Sequence, residues 1–316
     1  MKVTLSVAAL AAVASAAPKP GMSNLKKIRQ AAPQITDADI LNYALTLEHL
    51  EDKFYREGLG NYTEGEFASF GFDATFYGNL KEISSDETTH VKFLTAALTA
   101  AGATPVKECT YAFGVTDPKM FVATSSILEG VGVSAYLGAA AEIVSAEYLT
   151  AAGSILTVES RHSSYIRSSL GESPFPSPFD VPLSLNEVYT LAAPFIVSCP
   201  SDNPTLPVKA FPKVVSPPTN DPITPGKTIT LLTPDSIVKP ADGSSQIYAA
   251  FITVTGPVFA PATATDGGFT VTVPTAPEGG APIAGQTYAV LTGCNTTVTD
   301  ETVAAGPAVF EVGPAK

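Results

Sequence analysis

Glu87-Thr-Thr-His90 and Glu159-Ser-Arg-His162 share one spacing, a glutamate followed three residues later by a histidine. The chain has only three histidines, so two of them lie in this pattern. On a helix, positions i and i+3 lie on one face, and each pair therefore directs a carboxylate and an imidazole the same way. Two such helices, joined by two further helices that each carry a glutamate, form the carboxylate di-metal site of a four-helix bundle.

Four long amphipathic helices are predicted within residues 34–199, because apolar residues recur there at spacings of three and four. The expected helices are about 20 residues starting from Ile35-Thr-Asp-Ala-Asp39, and residues 74–101, 118–142 and 146–170. Each carries an acid on its apolar stripe, where a glutamate is costly unless it is paired or binds metal. These acids are Glu48, Glu87, Glu129 and Glu159. A short fifth helix over 184–197, bent at Pro194, is expected to follow.

The four glutamates are expected to lie at one depth in the bundle. Glu129 and Glu159 are equally far from the turn near residue 144, and Glu48 and Glu87 match to about one helical turn, or ~5 Å. The third and second helices would then be parallel, because residues 102–117, which could extend about 50 Å, can cross the length of the bundle. Glycines of the third helix (Gly130, Gly132 and Gly138) are expected to permit close helix approach.

This set of residues resembles the ferritin-like di-iron or di-manganese carboxylate superfamily. The phrases Leu47-Glu-x-x-Glu51-x-x-Phe-Tyr55, Glu129-Gly-Val-Gly-Val-x-Ala-Tyr136-Leu-Gly138 and Ile155-Leu-x-Val-Glu159-x-x-His162 resemble a narrower group over about residues 34–200. That group is the secreted fungal ferritin-like proteins of stress-response or late sexual development type, related to plant desiccation-related proteins. The resemblance implies two Fe or Mn ions held by all six family positions: Glu48, Glu87, His90, Glu129, Glu159 and His162.

The ligand hypothesis assigns Glu87 and Glu159 as bridging carboxylates and Glu48 and Glu129 as terminal ones. Other polar residues nearby receive weaker assignments. Glu51 is interpreted as an alternative ligand or a salt-bridge partner, and His49 as a surface or supporting residue. Asp86 is expected to face elsewhere than its neighbour Glu87, with support of a ligand as the less favoured alternative. Three tyrosines are interpreted mainly as packing residues: Tyr55, Tyr136 and Tyr165.

The N-terminus predicts secretion. Residues 1–17 have the charged start, apolar run and small-residue cleavage site of a signal peptide, and 18–33 are expected to be a leader. No later stretch is predicted to span a membrane, since the alanine-rich 131–141 segment is too short. Secretion permits disulfides. Cys109–Cys199 is the favoured bridge because both lie in the first domain, which leaves Cys294, and Asn61 and Asn295 are predicted glycosylation sites.

The second half of the chain predicts a separate β domain. Prolines concentrate in 200–226, which is expected to be a stiff linker, and five β-rich runs in 227–316 predict a small antiparallel sandwich. This module is a candidate for binding a cell-wall or surface partner, or for stabilising the protein. The expected architecture is thus α + β with two domains, extracellular or in the cell wall.

Three functions fit these expectations. The first is a di-metal oxidoreductase acting on peroxide or O2, and the second is a metal-binding or stress protein without turnover. The third is a structural protein that uses the bundle as a scaffold. The net charge of −12 argues against nucleic acid and anionic membranes as partners.

Overall fold

Helices come first along the chain and the main β-sheet afterwards, in a computed structural model that describes residues 35–217, 221–234, 236–240, 243 and 245–313. The predicted signal peptide (1–17) and leader (18–33) lie outside these residues. The α + β architecture predicted from the sequence, with helices followed by an antiparallel sheet, is confirmed.

Each predicted helix is present, and its start follows from a capping residue. The helices are α1 (Asp37–Asn61), α2 (Glu64–Ser69), α3 (Ala74–Ala100), α4 (Pro118–Ala139), α5 (Ala146–Ser169) and α6 (Leu185–Ala192). Side chains that accept a bond from the first-turn backbone precede all six: Thr36, Thr63, Asp73, Asp117, Ser145 and Ser184. Short 3-10 turns, Ala140–Glu142 and Ala193–Phe195, extend α4 and α6.

The long helices pack as two pairs, α1 along α3 and α4 along α5. Phe54 of α1 stacks on Phe121 of α4 with ring centroids 4.5 Å apart, and this contact joins the pairs. A Cβ at Gly58 would lie 2.0 Å from the Phe121 ring, so this position requires glycine for the two helices to meet. The crossover between α3 and α4 contains β1 (Thr110–Tyr111), which pairs with β2 (Ile196–Ser198).

Two glycines of α4 make room for neighbours that are not helix backbones, although the sequence predicts close helix approach there. A Cβ at Gly138 would meet the Leu183 carbonyl oxygen at 1.8 Å, and one at Gly130 would meet the Gln286 side chain. Both neighbours belong to later parts of the chain that pack on the bundle. The glycines indicate that neighbouring groups pack closely against α4, but the sequence does not identify those groups.

Six antiparallel strands form the β domain in the order β3-β6-β5-β4-β7-β8. They are β3 (Thr228–Leu232), β4 (Ile247–Phe251), β5 (Val258–Thr265), β6 (Gly268–Thr272), β7 (Gly285–Thr292) and β8 (Val303–Val312). Five of them coincide with the predicted β-rich runs. The sequence does not predict β5, because Pro261 and the small alanines and threonines of this strand are a weak strand signal. Residues of both edge strands, such as Leu231 and Val312, share one core cluster, so the sheet folds over a common interior.

The proline-rich stretch 200–226 lies against both parts of the molecule where it is described. The Phe211 amide donates to Thr190 Oγ1 of α6 at 2.9 Å. Val215 forms a bridge to Leu232 at one sheet edge, and Ile223 forms a bridge to Val312 at the other. The stretch thereby connects the helices to the two edges of the sheet.

Side-chain hydrogen bonds hold the β domain on α4 and α5, and those of Tyr288 and Arg167 are among them. The Tyr288 hydroxyl donates to the Gly130 carbonyl oxygen at 2.9 Å, and Arg167 donates to both carboxylate oxygens of Glu311 at 2.8 and 2.6 Å. Of the described helices, Pro118–Glu142 alone is long and apolar enough by composition to cross a membrane, but 61% of its apolar window is buried inside the protein. This degree of burial is typical of a central helix in a helical bundle.

Candidate metal centre

The structure brings the six predicted ligands into one cluster at the middle of the bundle. Each long helix contributes: α1 gives Glu48, α3 gives Glu87 and His90, α4 gives Glu129, and α5 gives Glu159 and His162. The four glutamates are fully buried, and the histidines are 8% and 6% exposed. These six residues are called the carboxylate–histidine cluster below.

The cluster divides into two overlapping groups of four, in each of which the candidate ligand atoms lie within 4.8 Å of one another. One group is Glu48, Glu87, His90 and Glu159, and the other is Glu87, Glu129, Glu159 and His162. Glu87 and Glu159 belong to both groups. This sharing is the arrangement that two bridging and two terminal carboxylates require.

Both histidines turn Nδ1 toward the carboxylates. His90 Nδ1 lies 3.2 Å from Glu48 Oε2, 3.2 Å from Glu87 Oε2 and 3.4 Å from Glu159 Oε1. His162 Nδ1 lies 3.0 Å from Glu87 Oε1 and 3.3 Å from Glu129 Oε2. Each imidazole can therefore offer one nitrogen to a cation shared with neighbouring carboxylates.

Several polar atoms of the cluster are buried and have no hydrogen-bond partner among the described residues. They are Glu87 Oε1, Glu129 Oε2, both carboxylate oxygens of Glu159, and His162 Nδ1. His162 Nδ1 is close to Glu87 Oε1 and Glu129 Oε2 without the geometry of a hydrogen bond. Lone pairs that face a common point without bonding to each other are suited to a metal ion, and leaving them without one is costly.

Burial and mutual repulsion shift the pKa values of several groups in the cluster. Burial raises the pKa of Glu159 well above its usual value, and Glu87 adds to the increase. Burial also raises the pKa of Glu87 to about 7, although the adjacent imidazoles of His162 and His90 oppose the increase. Burial lowers the pKa of His162, but the nearby carboxylates of Glu129 and Glu87 outweigh that effect and raise the pKa to about 11. These shifts favour protonation of the cluster, and a cation that bound there would have to displace protons.

Two tyrosines hold Glu129 and Glu48 in place. The Tyr55 hydroxyl donates to Glu129 Oε1, and the Tyr136 hydroxyl donates to Glu48 Oε1. Burial raises the pKa of both tyrosines well above the usual value, and the bonded glutamates raise it further, so both remain protonated donors. The sequence favoured packing for these residues; the structure adds a hydrogen-bonding role.

Asp86 supports His162 from outside the cluster. Its Oδ2 lies 3.1 Å from His162 Nε2, the nitrogen that faces away from the carboxylates. A carboxylate on the outer nitrogen of a metal-binding histidine fixes the ring orientation and raises its basicity. The weakly indicated supporting role of Asp86 therefore has a geometric basis.

Glu51 is buried beside the cluster although it belongs to neither group of four. Burial raises the pKa of Glu51 well above its usual value, with repulsion from Glu159 as the next cause. The corresponding position on α4, three residues after Glu129, is Gly132. A Cβ at Gly132 would lie 2.9 Å from Glu159 Oε2 and 3.0 Å from Glu51 Oε1, so the missing side chain makes room for both carboxylates.

The remaining predicted residues lie away from the cluster. His49 Nε2 lies 3.2 Å from the Val106 carbonyl oxygen of the crossover, and Tyr165 accepts a bond from Asn79 at 2.9 Å. Cys109 and Cys199 form a disulfide next to the β1–β2 pair. Two predicted glycosylation sites, Asn61 and Asn295, are exposed.

Comparisons with known proteins agree with this geometry. Residues 36–172 match the family model described as "Ferritin-like domain". The chain is similar to Protein rds1 of Schizosaccharomyces pombe, with 27% identity over 192 residues. That alignment covers 60% of this chain and 47% of the relative, so the chain spans about half the length of the curated relative it matches. This match and the four-helix cluster together support a ferritin-like domain over residues 36–172.

Proposed function

We propose that the carboxylate–histidine cluster binds two metal ions, either iron or manganese, and that the chain is a secreted di-metal protein. The observation that carries this proposal is the complete burial of Glu48, Glu87, Glu129 and Glu159 in one cluster. Four ionised carboxylates balance the charge of two divalent ions, whereas four buried acids without cations must take up protons or remain without partners.

The donor set favours iron or manganese. It consists of carboxylate oxygens and imidazole nitrogens, and neither group of four includes a cysteine. Glu87 and Glu159 would bridge the ions, Glu48 and Glu129 would each hold one, and His90 and His162 would supply nitrogen. Bound iron or manganese supplies exchange between the divalent and trivalent states, which suits reactions with O2 or peroxide.

The surrounding residues prepare the cluster for this role. Tyr55 and Tyr136 keep Glu129 and Glu48 in fixed orientations by donating hydrogen bonds to them. Asp86 fixes the His162 ring. Each of these bonds leaves another oxygen or nitrogen of the ligand turned into the cluster, so little rearrangement is needed for metal binding.

An oxidoreductase acting on peroxide or O2, in stress or development, is the activity we propose for this centre. The N-terminal signal pattern and the Cys109–Cys199 disulfide support export, because disulfides persist mainly in oxidising compartments. The alternative is metal binding without turnover, and the same cluster would serve it.

Two measurements separate these functions. Elemental analysis of protein purified from its native host should find about two Fe or Mn ions per chain. An oxygen electrode should then register O2 evolution when peroxide is added to the loaded protein, or O2 consumption with a reductant. Bound metal with neither signal would establish a binder and contradict the oxidoreductase proposal. Absence of both metals would contradict the metal centre itself.

A further inference from the structure

An apolar cavity of about 380 Å³ lies beside the carboxylate–histidine cluster. Its walls come from α1, α4 and α6, from the proline-rich stretch and from β8, with Leu50, Leu128 and Val309 among the apolar side chains. The volume is within the range of small-molecule sites, at about 300–1,000 Å³. None of the metal-binding roles assigned above uses this space.

The inner end of the cavity reaches the cluster. Glu51 and Gly132 both line the cavity. Glu51 is 4% exposed, and its Oε2 has no hydrogen-bond partner in the described part of the chain. A Cβ at Gly132 would lie 2.9 Å from Glu159 Oε2, so Gly132 lines the cavity and also borders that cluster carboxylate. A molecule in the cavity would therefore end next to the metal ligands.

The outer end of the cavity carries a positive charge, opposite in sign to that of a carboxylate such as Glu51 at the inner end. Glu51 and Lys213 are the charged residues among those that line the cavity. Lys213 is exposed and belongs to the proline-rich stretch, and no ion pair of Lys213 occurs among the described residues. The polar Thr190 Oγ1 is already engaged, since it donates to Asn186 and accepts from Phe211. The cavity thus offers one cation at its mouth, apolar walls, and the cluster at its far end.

We propose that this cavity binds a slender apolar molecule with a single carboxylate, such as a medium-chain fatty acid. The carboxylate pairs with Lys213, and the hydrocarbon tail extends along Leu128 and Leu50 toward Gly132. Binding follows from the cavity itself, whereas a role for the bound molecule as substrate rests on the proposed function. The charge at the mouth selects an acid over an alcohol or an amine of equal length.

Calorimetric titration of the full chain with dodecanoate, dodecanol and dodecyltrimethylammonium tests the binding. Dodecanoate is expected to bind most tightly. Val309→Trp should weaken dodecanoate binding about tenfold or more by filling the cavity, while Val258→Trp, at a partly buried valine outside it, should not. Lys213→Glu should weaken dodecanoate about threefold to tenfold and leave dodecanol unchanged, while Lys209→Glu should affect neither. Absence of dodecanoate binding, or equal binding by all variants, would overturn the proposal.

Nuclear magnetic resonance of dodecanoate in Mn(II)-loaded protein tests the orientation. The paramagnetic ion should broaden the terminal methyl signal more than the methylene next to the carboxylate. Stronger broadening at the carboxylate end would overturn the assigned orientation. Metal content measured on the same sample separates the two claims: no bound manganese would count against the metal centre, whereas bound manganese without dodecanoate binding would count against the cavity proposal alone.

Discussion

Tyr136 of α4 donates a hydrogen bond across the bundle to Glu48 of α1. The reverse bond, from Tyr55 of α1 to Glu129 of α4, completes an exchange between the two helices. Each tyrosine follows a cluster glutamate of its own helix by seven residues, or about two helical turns. Each helix therefore supplies one glutamate to the cluster and supports the glutamate of the other, an approximate two-fold arrangement.

Removing one of these hydroxyls should weaken metal binding without unfolding the bundle. Tyr136→Phe leaves Glu48 without its donor, and we expect metal affinity to fall about tenfold. Competition with a chelator of known affinity measures the change. Tyr43→Phe is the matched control, because the Tyr43 hydroxyl is buried without a hydrogen-bond partner in the described structure. An equal loss in both variants would show that the Tyr136–Glu48 bond does not support the site.

Asp86→Asn should lower metal affinity by about tenfold to a hundredfold, because His162 loses the carboxylate on its outer nitrogen. The same chelator competition applies. Glu82→Gln removes an exposed acid from the same helix and should leave the affinity unchanged. If Glu82→Gln weakens binding as much as Asp86→Asn, the effect comes from general charge rather than from His162.

Glu159→Ala should abolish metal binding while the bundle stays folded, since Glu159 belongs to both halves of the cluster. Elemental analysis gives the metal content, and circular dichroism reports the helices. Glu147→Ala, at an exposed position in the first turn of α5, should retain the full metal content. Retained metal in Glu159→Ala would contradict the ligand assignment.

Glu187 of α6 should make stability depend on pH away from the metal centre. Burial raises the pKa of Glu187 to about 7, and repulsion from Asp300 adds to the increase. The hydrogen bond that Glu187 accepts from the Ser184 amide at 2.8 Å opposes it. Tyr43 lies nearby. The folded protein keeps this proton at pH values where the unfolded chain releases it. Stability is therefore lost as pH rises from about 4.5 to about 7.

Glu187→Gln removes this titration, so it should stabilise the protein by roughly 1–3 kcal/mol at pH 8 and change little at pH 4. Urea unfolding at both pH values measures the difference. Glu66 occupies the same capping position in α2, but bonds from Thr63 lower its pKa. Glu66→Gln should therefore lower stability at pH 8. It serves as the control because its expected effect has the opposite sign to that of Glu187→Gln. A gain from Glu187→Gln that is equal at both pH values would contradict the burial argument.

The helices and the cluster could be predicted from the sequence because their signals are local. The caps at Thr36 and Asp117, the apolar periodicity and the glutamate–histidine spacing all act within one helix, and equal depth then aligns Glu129 with Glu159. The prediction that the six candidate ligands meet depends on one further expectation, namely that residues 102–117 cross the length of the bundle.

Contacts between distant segments could not be predicted in this way. Nothing in the sequence around Gly132 indicates that the carboxylates of Glu51 and Glu159 meet at its missing side chain. The contact of Asp86 with His162 spans 76 residues and depends on how α3 faces α5. The path of the proline-rich stretch across α6 and the sheet edges also arises only from tertiary packing.

Anomalous X-ray diffraction from crystals of natively purified, chelator-free protein tests the metal centre most directly. Data collected at the iron and manganese absorption edges identify the element and place it in the structure. We expect two anomalous peaks flanked by Glu87 and Glu159, one beside His90 and the other beside His162. A well-ordered cluster with no anomalous signal at either edge would contradict the di-metal account.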